Sequence, residues 1–285
     1  MAEIKRAVAL GNFDGLHSGH TAVIEKAKAM AQNGLVPCVL LLDPLPCNVE
    51  GFTPHKALLT DSEKEKLLGE MGVEVVRIDF LKIKDYEPER FFEDIIIKEL
   101  NAGAVSCGFN YRFGKNGSGD STLLESLCKT AGVAFCVSEP VEAEGLPISS
   151  TRIRNALENG EIEKANAMLG RAFGYTLEVV HGDKIGRLLD CPTINQLFPE
   201  ELIVPKYGVY SSEAKIDGKW LRSVTNIGRR PSFENDEQRS ETHIIGLNGD
   251  LYGQLVEVRL LSYKRGEKKF SSLDELKEQL SKDKE

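Results

Sequence analysis

The first half of the chain alternates between two hydrophobic patterns. Short apolar runs predict buried strands, and the segments between them carry apolar residues at helical spacing. Alternating strands and helices indicate an α/β domain, in which a parallel sheet is covered on both faces and ligands bind beyond the carboxyl ends of the strands. The predicted strands are residues 7–10, 36–43, 73–78, 104–107 and 134–137, and the predicted helices are residues 21–30, 60–68, 88–100 and 121–131.

The pattern changes in the second half of the chain. From Tyr175 onward, apolar and polar residues alternate with the period of a strand. The dipeptides Asp217-Gly218 and Asn248-Gly249 predict two-residue turns between antiparallel strands. These features indicate a mostly β domain, and a closed barrel is favoured because closure leaves no exposed strand edge.

Two helical segments flank this β region. Residues 155–170 predict helical turns interrupted at Gly160, and residues 272–280 begin with a capping box and place leucines on one face. The second segment predicts a C-terminal helix that packs on the barrel. We therefore divide the chain into a first domain of residues 1–170 and a second domain of residues 171–285.

The composition narrows the classes of partner. The chain has 44 acidic and 36 basic residues and a formal net charge of −8, which argues against a broad surface for nucleic acid or anionic membranes. The longest apolar run, residues 36–42, is too short to span a bilayer, and the N-terminal residues lack the apolar core of a signal peptide. We expect a cytoplasmic protein without nucleic-acid or membrane partners, and self-association is left open. The six cysteines form no Cys-x-x-Cys pair, which favours reduced, buried thiols.

Residues that could take part in binding or catalysis cluster where the first predicted strand meets the first predicted helix. They lie in Gly11-Asn-Phe-Asp-Gly-Leu-His-Ser-Gly-His20. A glycine-containing loop before a helix start directs backbone N–H groups and the positive end of the helix dipole at a phosphate. His17 and His20 can donate hydrogen bonds to oxygens that gain charge during transfer, and Gly19 would let a ligand approach the backbone. Two histidines near a turn are also ordinary polar loop residues. Their combination with the strand and the glycine loop favours a nucleotide site.

Two further stretches of the first half follow strands of the predicted sheet. Residues 107–120 form a long loop rich in glycine, asparagine and aromatic residues, which is typical of a binding loop, although its aromatics could also close the rim of the core. Residues 147–154, Pro-Ile-Ser-Ser-Thr-Arg-Ile-Arg, place hydroxyls and arginines at a helix start, which suits a triphosphate. The alternative is a plain helix cap with solvated arginines.

The second half contains two candidate nucleotide segments. Residues 181–187, His-Gly-Asp-Lys-Ile-Gly-Arg, form a basic loop bracketed by glycines that could lie over phosphates. In Pro192-Thr-Ile-Asn195, the hydroxyl and the amide oxygen face the same way on an extended segment and could hold Mg²⁺ with ATP. Taken alone, this second pattern is more often just a turn.

The motifs together resemble a known family. Residues 11–20 resemble the signature of the adenylyltransferase half of bacterial bifunctional riboflavin kinase/FAD synthetases, which belong to the His-x-Gly-His nucleotidyltransferases with a Rossmann-like sheet. The second half resembles the riboflavin kinase module, a mostly β barrel with a terminal helix, through Pro192-Thr-Ile-Asn195, Pro205-Lys-Tyr-Gly-Val-Tyr210, Thr225-Asn-Ile-Gly-Arg-Arg-Pro-Ser232, Ser240-Glu-Thr-His243, Leu251-Tyr-Gly253 and Arg265-Gly-Glu-Lys-Lys-Phe270.

The resemblance implies an activity and a set of site residues. The implied activity is phosphorylation of riboflavin to FMN with ATP, followed by adenylylation of FMN to FAD with release of pyrophosphate. His17, His20 and Glu241 are the implied catalytic residues, with Glu241 as the general base, and Thr193 and Asn195 would hold Mg²⁺. The residues implied to bind ATP or flavin are Gly11, Phe13, Asp14, Gly15, Asn110, Ser149, Ser150, Arg154, Gly182, Lys184, Gly186, Arg187, Thr193, Asn195 and Arg265.

The chain departs from the family pattern at two places. Leu45 stands where the family has the histidine of Pro-His-Pro, and Asp190-Cys191 stands where the family has Gly-Phe. His55 lies ten residues after Leu45 and is not assumed to replace that histidine. The departures leave three alternatives: a protein with only the kinase active, a flavin-binding protein without turnover, and an adenylyltransferase for another substrate fused to a barrel that only binds.

Overall fold

The structure is a computed structural model. It describes residues 4–31, 34–46, 49–50, 54–182, 192–231, 236–247, 249–268, 275, 279 and 282–283. The contacts divide the chain into two compact units, Met1–His55 with Asp61–Ser149, and Lys56–Thr60 with Ser150–Glu285. The segment 150–170, which we assign to the first domain from the sequence, thus clusters with the second unit. The boundary near residue 170 stays a prediction.

The first unit is an alternation of strands and helices. Its elements are β1 (Arg6–Leu10), α1 (Ser18–Met30), β2 (Val36–Asp43), α2 (Asp61–Glu70), β3 (Glu74–Asp79), α3 (Phe80–Ile83), α4 (Pro88–Phe91), a π-helix (Phe92–Glu99), β4 (Ala102–Gly108), β5 (Arg112–Phe113), a 3₁₀ turn (Lys115–Gly117), β6 (Gly119–Asp120), α5 (Ser121–Ala131), β7 (Ala134–Ser138), β8 (Glu142–Ala143) and β9 (Leu146–Pro147).

A five-stranded parallel sheet in the order β3-β2-β1-β4-β7 forms the centre of this unit. In the central strand β1, Val8 lies opposite Cys38 of β2 on one side and Val105 of β4 on the other. Residues 7–10 are almost fully buried, as expected of a parallel strand covered on both faces. The predicted α/β fold is confirmed. The loop that follows β1 leads to the two histidines at the start of α1.

Two local predictions for this unit were incomplete. Residues 88–100 form one α-helical turn and then a π-helix. The sequence predicts a single helix there because apolar spacing alone does not distinguish the two helix types. The Leu100 N–H bonds to the carbonyl of Ile95, five residues back, at 2.9 Å. The predicted loop 107–120 contains a small antiparallel pair, in which Arg112 lies opposite Asp120.

The second unit begins with two helices and continues as a barrel. Its elements are α6 (Ser150–Asn159), α7 (Ile162–Leu169), β10 (Phe173–Val180), β11 (Ile194–Leu197), β12 (Gly208–Ile216), β13 (Lys219–Pro231), β14 (Asp236–Ile244) and β15 (Leu255–Arg265). The strands close in the order β10-β11-β14-β13-β12-β15, and each neighbouring pair is antiparallel. The predicted barrel and the helix break at Gly160 are confirmed.

One of the two predicted turns forms and the other does not join a hairpin. Asp217-Gly218 connects β12 directly to its partner β13. The dipeptide Asn248-Gly249 falls between β14 and β15, and these strands pair with other neighbours, so the hairpin prediction there is wrong. Closure of the barrel decides these partners, and Asn248 itself lies outside the described residues.

The interior of the barrel is partly polar. The buried Ser212 hydroxyl lies 2.7 Å from Ser223 Oγ and 2.8 Å from Thr225 Oγ1, and Thr225 Oγ1 lies 2.8 Å from Thr242 Oγ1. Gln196 Nε2 also donates to backbone carbonyls inside the barrel. The hydroxyls of Ser212, Ser223, Thr225 and Thr242 satisfy one another, so they can be buried away from water.

The cysteines of the described residues are free thiols. Burial raises the pKa of Cys38 and of Cys107 to about 12 and that of Cys128 to about 11, so these thiols stay protonated and unreactive. Cys136 is also free, and Cys47 and Cys191 lie outside the described residues. Among the helices that the structure describes, none is both long enough and apolar enough to cross a membrane.

Candidate active sites

The loop between β1 and α1 has an unusual backbone. Phe13 and Leu16 have φ values of 49° and 41°, in the left-handed region that non-glycine residues rarely adopt, and Gly15 between them has φ of 83°. The side chains of Phe13 and Leu16 are buried, which holds this costly conformation in place. Phe13 packs against the backbone at Gly11, so within the loop it determines shape. Its contact with a ligand stays a prediction.

His17 and His20 form a stacked pair at the start of α1. Their ring centroids lie 3.7 Å apart with an angle of 14° between the planes. His17 is the N-cap of the helix, and its Nδ1 accepts a hydrogen bond from the His20 N–H at 3.2 Å. Because Nδ1 is the acceptor, the proton of a neutral His17 ring resides on Nε2, which is then a donor. The structure thus brings the two predicted catalytic histidines together with one tautomer defined.

Gly19 makes room for the ring of His17, and its predicted role in letting a ligand approach the backbone stays a prediction. A β-carbon at this position would lie 3.1 Å from both Cε1 and Nδ1 of His17, so the histidine ring occupies the space that a side chain would need. The same β-carbon would lie 3.9 Å from the carbonyl oxygen of Ile148, the residue before Ser149. The spacing His-x-Gly-His therefore allows the first ring to fold back over the first helical turn.

His20 carries a buried polar atom with no partner among the described residues. This atom is Nδ1, and the ring also lies 5.4 Å from the ring of Phe13. Burial, followed by the neighbouring His17 and Lys64, holds the pKa of His20 well below its usual value. His20 is therefore neutral near pH 7, and its unpartnered nitrogen is available to a ligand that replaces water.

Lys64 was missed by the sequence reasoning. It lies on α2, is 1% exposed, and has its ammonium 3.8 Å from the exposed Asp61 carboxylate. A buried lysine is rare because its charge loses hydration. The signal was available in the sequence: position 64 is four residues before the buried Leu68, on the same face of the predicted helix.

A mainly apolar cavity of about 230 Å³ adjoins the histidine loop. Gly11 and Asn12 of the loop form part of its wall, and Tyr111 stacks on Phe113 with ring planes 9° apart. Asn110, which the resemblance assigned to ligand binding, is exposed and is not among the lining residues. Most of the remaining wall is apolar and comes from β2, α3 and α4 through Leu40, Leu42, Phe80, Ile83 and Phe91. Two charged residues, Lys84 and Arg112, also line the cavity. The cavity can accept a flat aromatic group.

The structure also shows where Asp14, His55 and Leu45 lie in the first unit. Asp14 is buried, and its Oδ2 lies 3.9 Å from Nε2 of His55. His55 therefore lies against the loop between β1 and α1, a position that the sequence alone does not predict. Leu45, in place of the family histidine, is half-buried after β2.

The hydroxyl and arginine motif forms a helix start as predicted. Ser149 is the last residue of the first unit, and Ser150 begins α6 in the second. Arg154 is buried, and its Nε donates to the carbonyl of Lys56 at 2.7 Å. The phosphate-binding roles of these three residues stay predictions.

The register of the barrel brings Asn195 and Glu241 together. They lie directly opposite each other on β11 and β14, and Asn226 of β13 lies opposite Glu241 on its other side. Directly opposed residues have β-carbons about 4.5–5.5 Å apart. The predicted general base is therefore flanked by two amide side chains on the same face of the sheet.

A smaller cavity of about 70 Å³ lies beside this ladder. Its polar wall includes Thr193, Asn195 and Thr242, and a β-carbon at Gly182 would overlap the amide of Asn195. Hydroxyl and amide oxygens are hard donors of the kind that Mg²⁺ accepts together with phosphate oxygens. The other predicted residues of this loop, Lys184, Gly186 and Arg187, lie outside the described residues, as do Asp190 and Cys191.

Arg265 is engaged in an ion pair. Its Nε and Nη2 donate to the two carboxylate oxygens of the buried Asp283 at 3.1 and 2.6 Å, and its Nη1 donates to the carbonyl of Gly266. Gln279 Nε2 donates to the same carboxylate at 3.0 Å. The arginine thus fastens a C-terminal residue to the end of β15, and its predicted contact with flavin stays a prediction.

Two family models match the chain, one over each half. The model described as FAD synthetase covers residues 1–152, and the model described as riboflavin kinase covers residues 169–285. The chain belongs to the bifunctional riboflavin kinase/FAD synthetase family. The family and the two-part fold predicted from the sequence are confirmed.

Full-length relatives support this membership. The chain is 36% identical to a bifunctional riboflavin kinase/FMN adenylyltransferase of Bacillus subtilis (strain 168) over 99% of this chain and 92% of the relative. It is 34% identical to the protein of the same name from Escherichia coli (strain K12), over 96% and 89% of the two chains. A crystal structure of a Streptococcus pneumoniae protein named Macrolide-efflux Protein superposes with a TM-score of 0.89 at 31% identity, over 99% and 93%. The two activities in the names of the relatives from Bacillus subtilis and Escherichia coli are those that the two family models describe.

Proposed function

We propose that this family member carries out two consecutive reactions, phosphorylation of riboflavin to FMN in the barrel and adenylylation of FMN to FAD in the α/β unit. ATP is the co-substrate of both. One observation carries the proposal: each unit contains its own constellation, the stacked His17–His20 pair in the first and the opposed Asn195–Glu241 pair in the second. Separate sites predict separable activities.

In the kinase reaction, Glu241 acts as general base. It takes the proton of the ribityl 5′-hydroxyl while that oxygen bonds to the γ-phosphorus of ATP, and the bond to the bridging oxygen breaks to release ADP. Thr193 and Asn195 would hold Mg²⁺ through their side-chain oxygens, and the ion would supply neutralisation of phosphate charge. Glycine at position 182 leaves the Asn195 amide in place, because a β-carbon there would displace it.

In the adenylyl transfer, a phosphate oxygen of FMN bonds to the α-phosphorus of the second ATP. The bond between the α-phosphorus and the bridging oxygen breaks, and pyrophosphate leaves. His17 and His20 donate hydrogen bonds to oxygens that gain charge, and a neutral His20 can do so without a proton from solvent. A donor of this kind typically stabilises the transition state by about 3 kcal/mol.

The mainly apolar cavity of the first unit suits the flavin ring. Tyr111 and Phe113 supply parallel aromatic faces, and Gly11 and Asn12 connect the cavity to the histidine loop. Aromatic walls favour planar ring systems through stacking. We assign the isoalloxazine ring of FMN to this cavity and retain Ser149, Ser150 and Arg154 as ATP ligands.

Further parts of the proposal concern location and boundaries. We place the enzyme in the cytoplasm, in keeping with free, buried thiols and with ATP as co-substrate. We retain the division of domains near residue 170, which is close to residue 169, where the riboflavin kinase match begins.

A chromatographic time course tests the proposal directly. Riboflavin with excess ATP and Mg²⁺ is expected to yield FMN first and FAD later, and omission of Mg²⁺ is expected to stop both steps. FMN that accumulates without FAD, even from added FMN, would leave only riboflavin kinase. Flavin binding without ATP consumption would identify a binding protein, and AMP transfer without riboflavin phosphorylation would leave only an adenylyltransferase.

A further inference from the structure

His243 lies close to the kinase constellation but has no role in the mechanism above. It follows Glu241 by two residues on β14, so both side chains project from the same face of the sheet. Its side chain is buried, which is unusual for a polar residue on the outer face of a barrel. The position calls for an explanation because buried polar groups normally serve a hydrogen bond.

The hydrogen bond of His243 reaches the neighbouring segment. Nδ1 lies 2.9 Å from the carbonyl oxygen of Pro192. A carbonyl oxygen can only accept, so Nδ1 carries the proton and donates. Because a proline lacks a backbone N–H, this carbonyl is the one backbone hydrogen-bonding group that Pro192 has.

The strand register shows that this bond lies just beyond the end of the ladder between β11 and β14. The ladder between β11 and β14 pairs Asn195 with Glu241 and Ile194 with Thr242, and there it ends. Continuing the same register would place Thr193 opposite His243. Beyond the end of the ladder, the imidazole thus extends the attachment of this segment to β14 by a side-chain bond.

Thr193 lies between two fixed points. Ile194 on one side is held by the ladder, and Pro192 on the other is held by His243. Thr193 lines the small cavity together with Asn195 and Thr242. Displacement of Pro192 would therefore move the Thr193 hydroxyl while leaving Asn195 and Glu241 in their ladder.

We infer that His243 is a positioning residue of the kinase site, which holds Pro192 so that the Thr193 hydroxyl faces the phosphates of ATP. The inference rests on the proposed kinase reaction. His243 acts through Thr193 and touches neither the transferred phosphoryl group nor the attacking hydroxyl. Removal of the His243 side chain should therefore weaken the binding of ATP more than the binding of riboflavin.

Four variants test this role. His243→Ala removes the donor, His243→Asn places an amide N–H near the position of Nδ1, and His243→Gln places its amide near the position of Nε2. Val224→Ala is the packing control, since Val224 lies opposite His243 on β13 and makes no part of this bond. Initial rates of FMN formation give kcat and the KM for ATP and for riboflavin, and FAD formation from added FMN monitors the other site.

Loss of the bond is expected to raise the KM for ATP of His243→Ala about 10-fold, with a smaller change in the KM for riboflavin. His243→Asn is expected to stay within about threefold of the parent, whereas His243→Gln resembles His243→Ala. Val224→Ala should leave the ratio of the two KM values unchanged. If His243→Ala does not fold, as judged by circular dichroism and thermal unfolding, the comparison of the Asn and Gln variants decides.

Three results would overturn the inference while the parent remains an active kinase. They are an unchanged KM for ATP in His243→Ala, equal behaviour of the Asn and Gln variants, and a proportional rise of both KM values in His243→Ala and Val224→Ala. A parent chain without any riboflavin phosphorylation would instead refute the proposed kinase function. The two failures are therefore distinguishable.

Discussion

The two constellations of this chain are built in contrasting ways. His17 and His20 are neighbours in sequence, and their geometry depends on a loop with left-handed residues and on the start of one helix. Asn195 and Glu241 are distant in sequence and meet through the register of a barrel. The first arrangement is local and strained, whereas the second is non-local and regular. Substitutions should therefore reveal two separate activities with different sensitivities to backbone change.

The largest effect is expected for the general base. Glu241→Gln removes the proton acceptor and should lower FMN formation by about 10²- to 10⁴-fold, while FAD formation from added FMN continues. The measurement is chromatographic, with riboflavin or FMN as the starting flavin. Glu178→Gln, at an exposed position of the same barrel, is the matched control and should change neither rate. Loss of FAD formation in a folded Glu241→Gln protein would contradict separate sites.

The next effect concerns the histidine pair. His20→Ala should lower FAD formation by about 10²- to 10³-fold and leave the kinase rate unchanged, because one hydrogen-bond donor to the transition state is lost. Lys26→Ala, at an exposed position on the same helix, controls for a change of side chain on α1. A folded His20→Ala protein that also lost FMN formation would require the two reactions to share residues.

Two glycines offer a matched test of local against non-local geometry. Gly19→Ala would press on the His17 ring, and Gly182→Ala would press on the Asn195 amide. We expect each to slow only the reaction of its own unit, by about 10- to 100-fold, because small displacements of reacting groups are costly. Rates of the two half-reactions measured in both variants check this. A crossed pattern, in which Gly19→Ala slows only the kinase, would reverse the assignment of the sites.

The smallest effect is electrostatic. Burial is the main cause of the low pKa of His20, and the charges of His17 and Lys64 contribute further. Lys64→Met should raise that pKa, because a neighbouring cation disfavours the protonated ring, but the pKa should stay below its usual value because burial persists. NMR titration of the imidazole measures the shift, with Lys66→Met as the control. A downward shift in Lys64→Met would show that Lys64 does not act through its charge.

The same low pKa gives a dependence of stability on pH. The folded protein binds the His20 proton less readily than the unfolded chain does, so this residue disfavours folding as pH falls through its unfolded pKa of about 6.5. Above that pH the effect is absent, since the ring is neutral in both states. FAD formation should likewise persist to lower pH than an ordinary histidine would permit.

Most of the fold was accessible from the sequence, and the exceptions have physical causes. The strands of the parallel sheet were predicted because strands buried on both faces read as continuous apolar runs. The π-helix at Phe92–Glu99 was not, because it has the same apolar pattern as an α-helix. The connection after β14 was mistaken for a hairpin because closure of the barrel, which a local dipeptide cannot encode, selects the strand partners.

The candidate sites divide in the same way. The histidine pair could be identified locally, but the reason for Gly19 required the orientation of the His17 ring. The opposition of Asn195 and Glu241 depends on register between distant strands, which no spacing in the sequence provides. The contact of His55 with Asp14 likewise arises only when separate segments pack together. The burial of Lys64, by contrast, follows the helical spacing from Leu68 and could have been predicted from the sequence.

The short segment Lys56–Thr60 interrupts the first unit and belongs to the second. Its Ala57 accepts a hydrogen bond from Ile203 and donates one to the carbonyl of Glu201. A protein fragment that ends at residue 149 would therefore contain this segment but not Glu201 and Ile203, which pair with it. The unpaired backbone of residues 56–60 would then be open to pairing with other chains, which favours aggregation. The two enzymatic halves are thus interleaved along the gene, and dividing them cleanly would require changes at residues 56–60 as well as one cut.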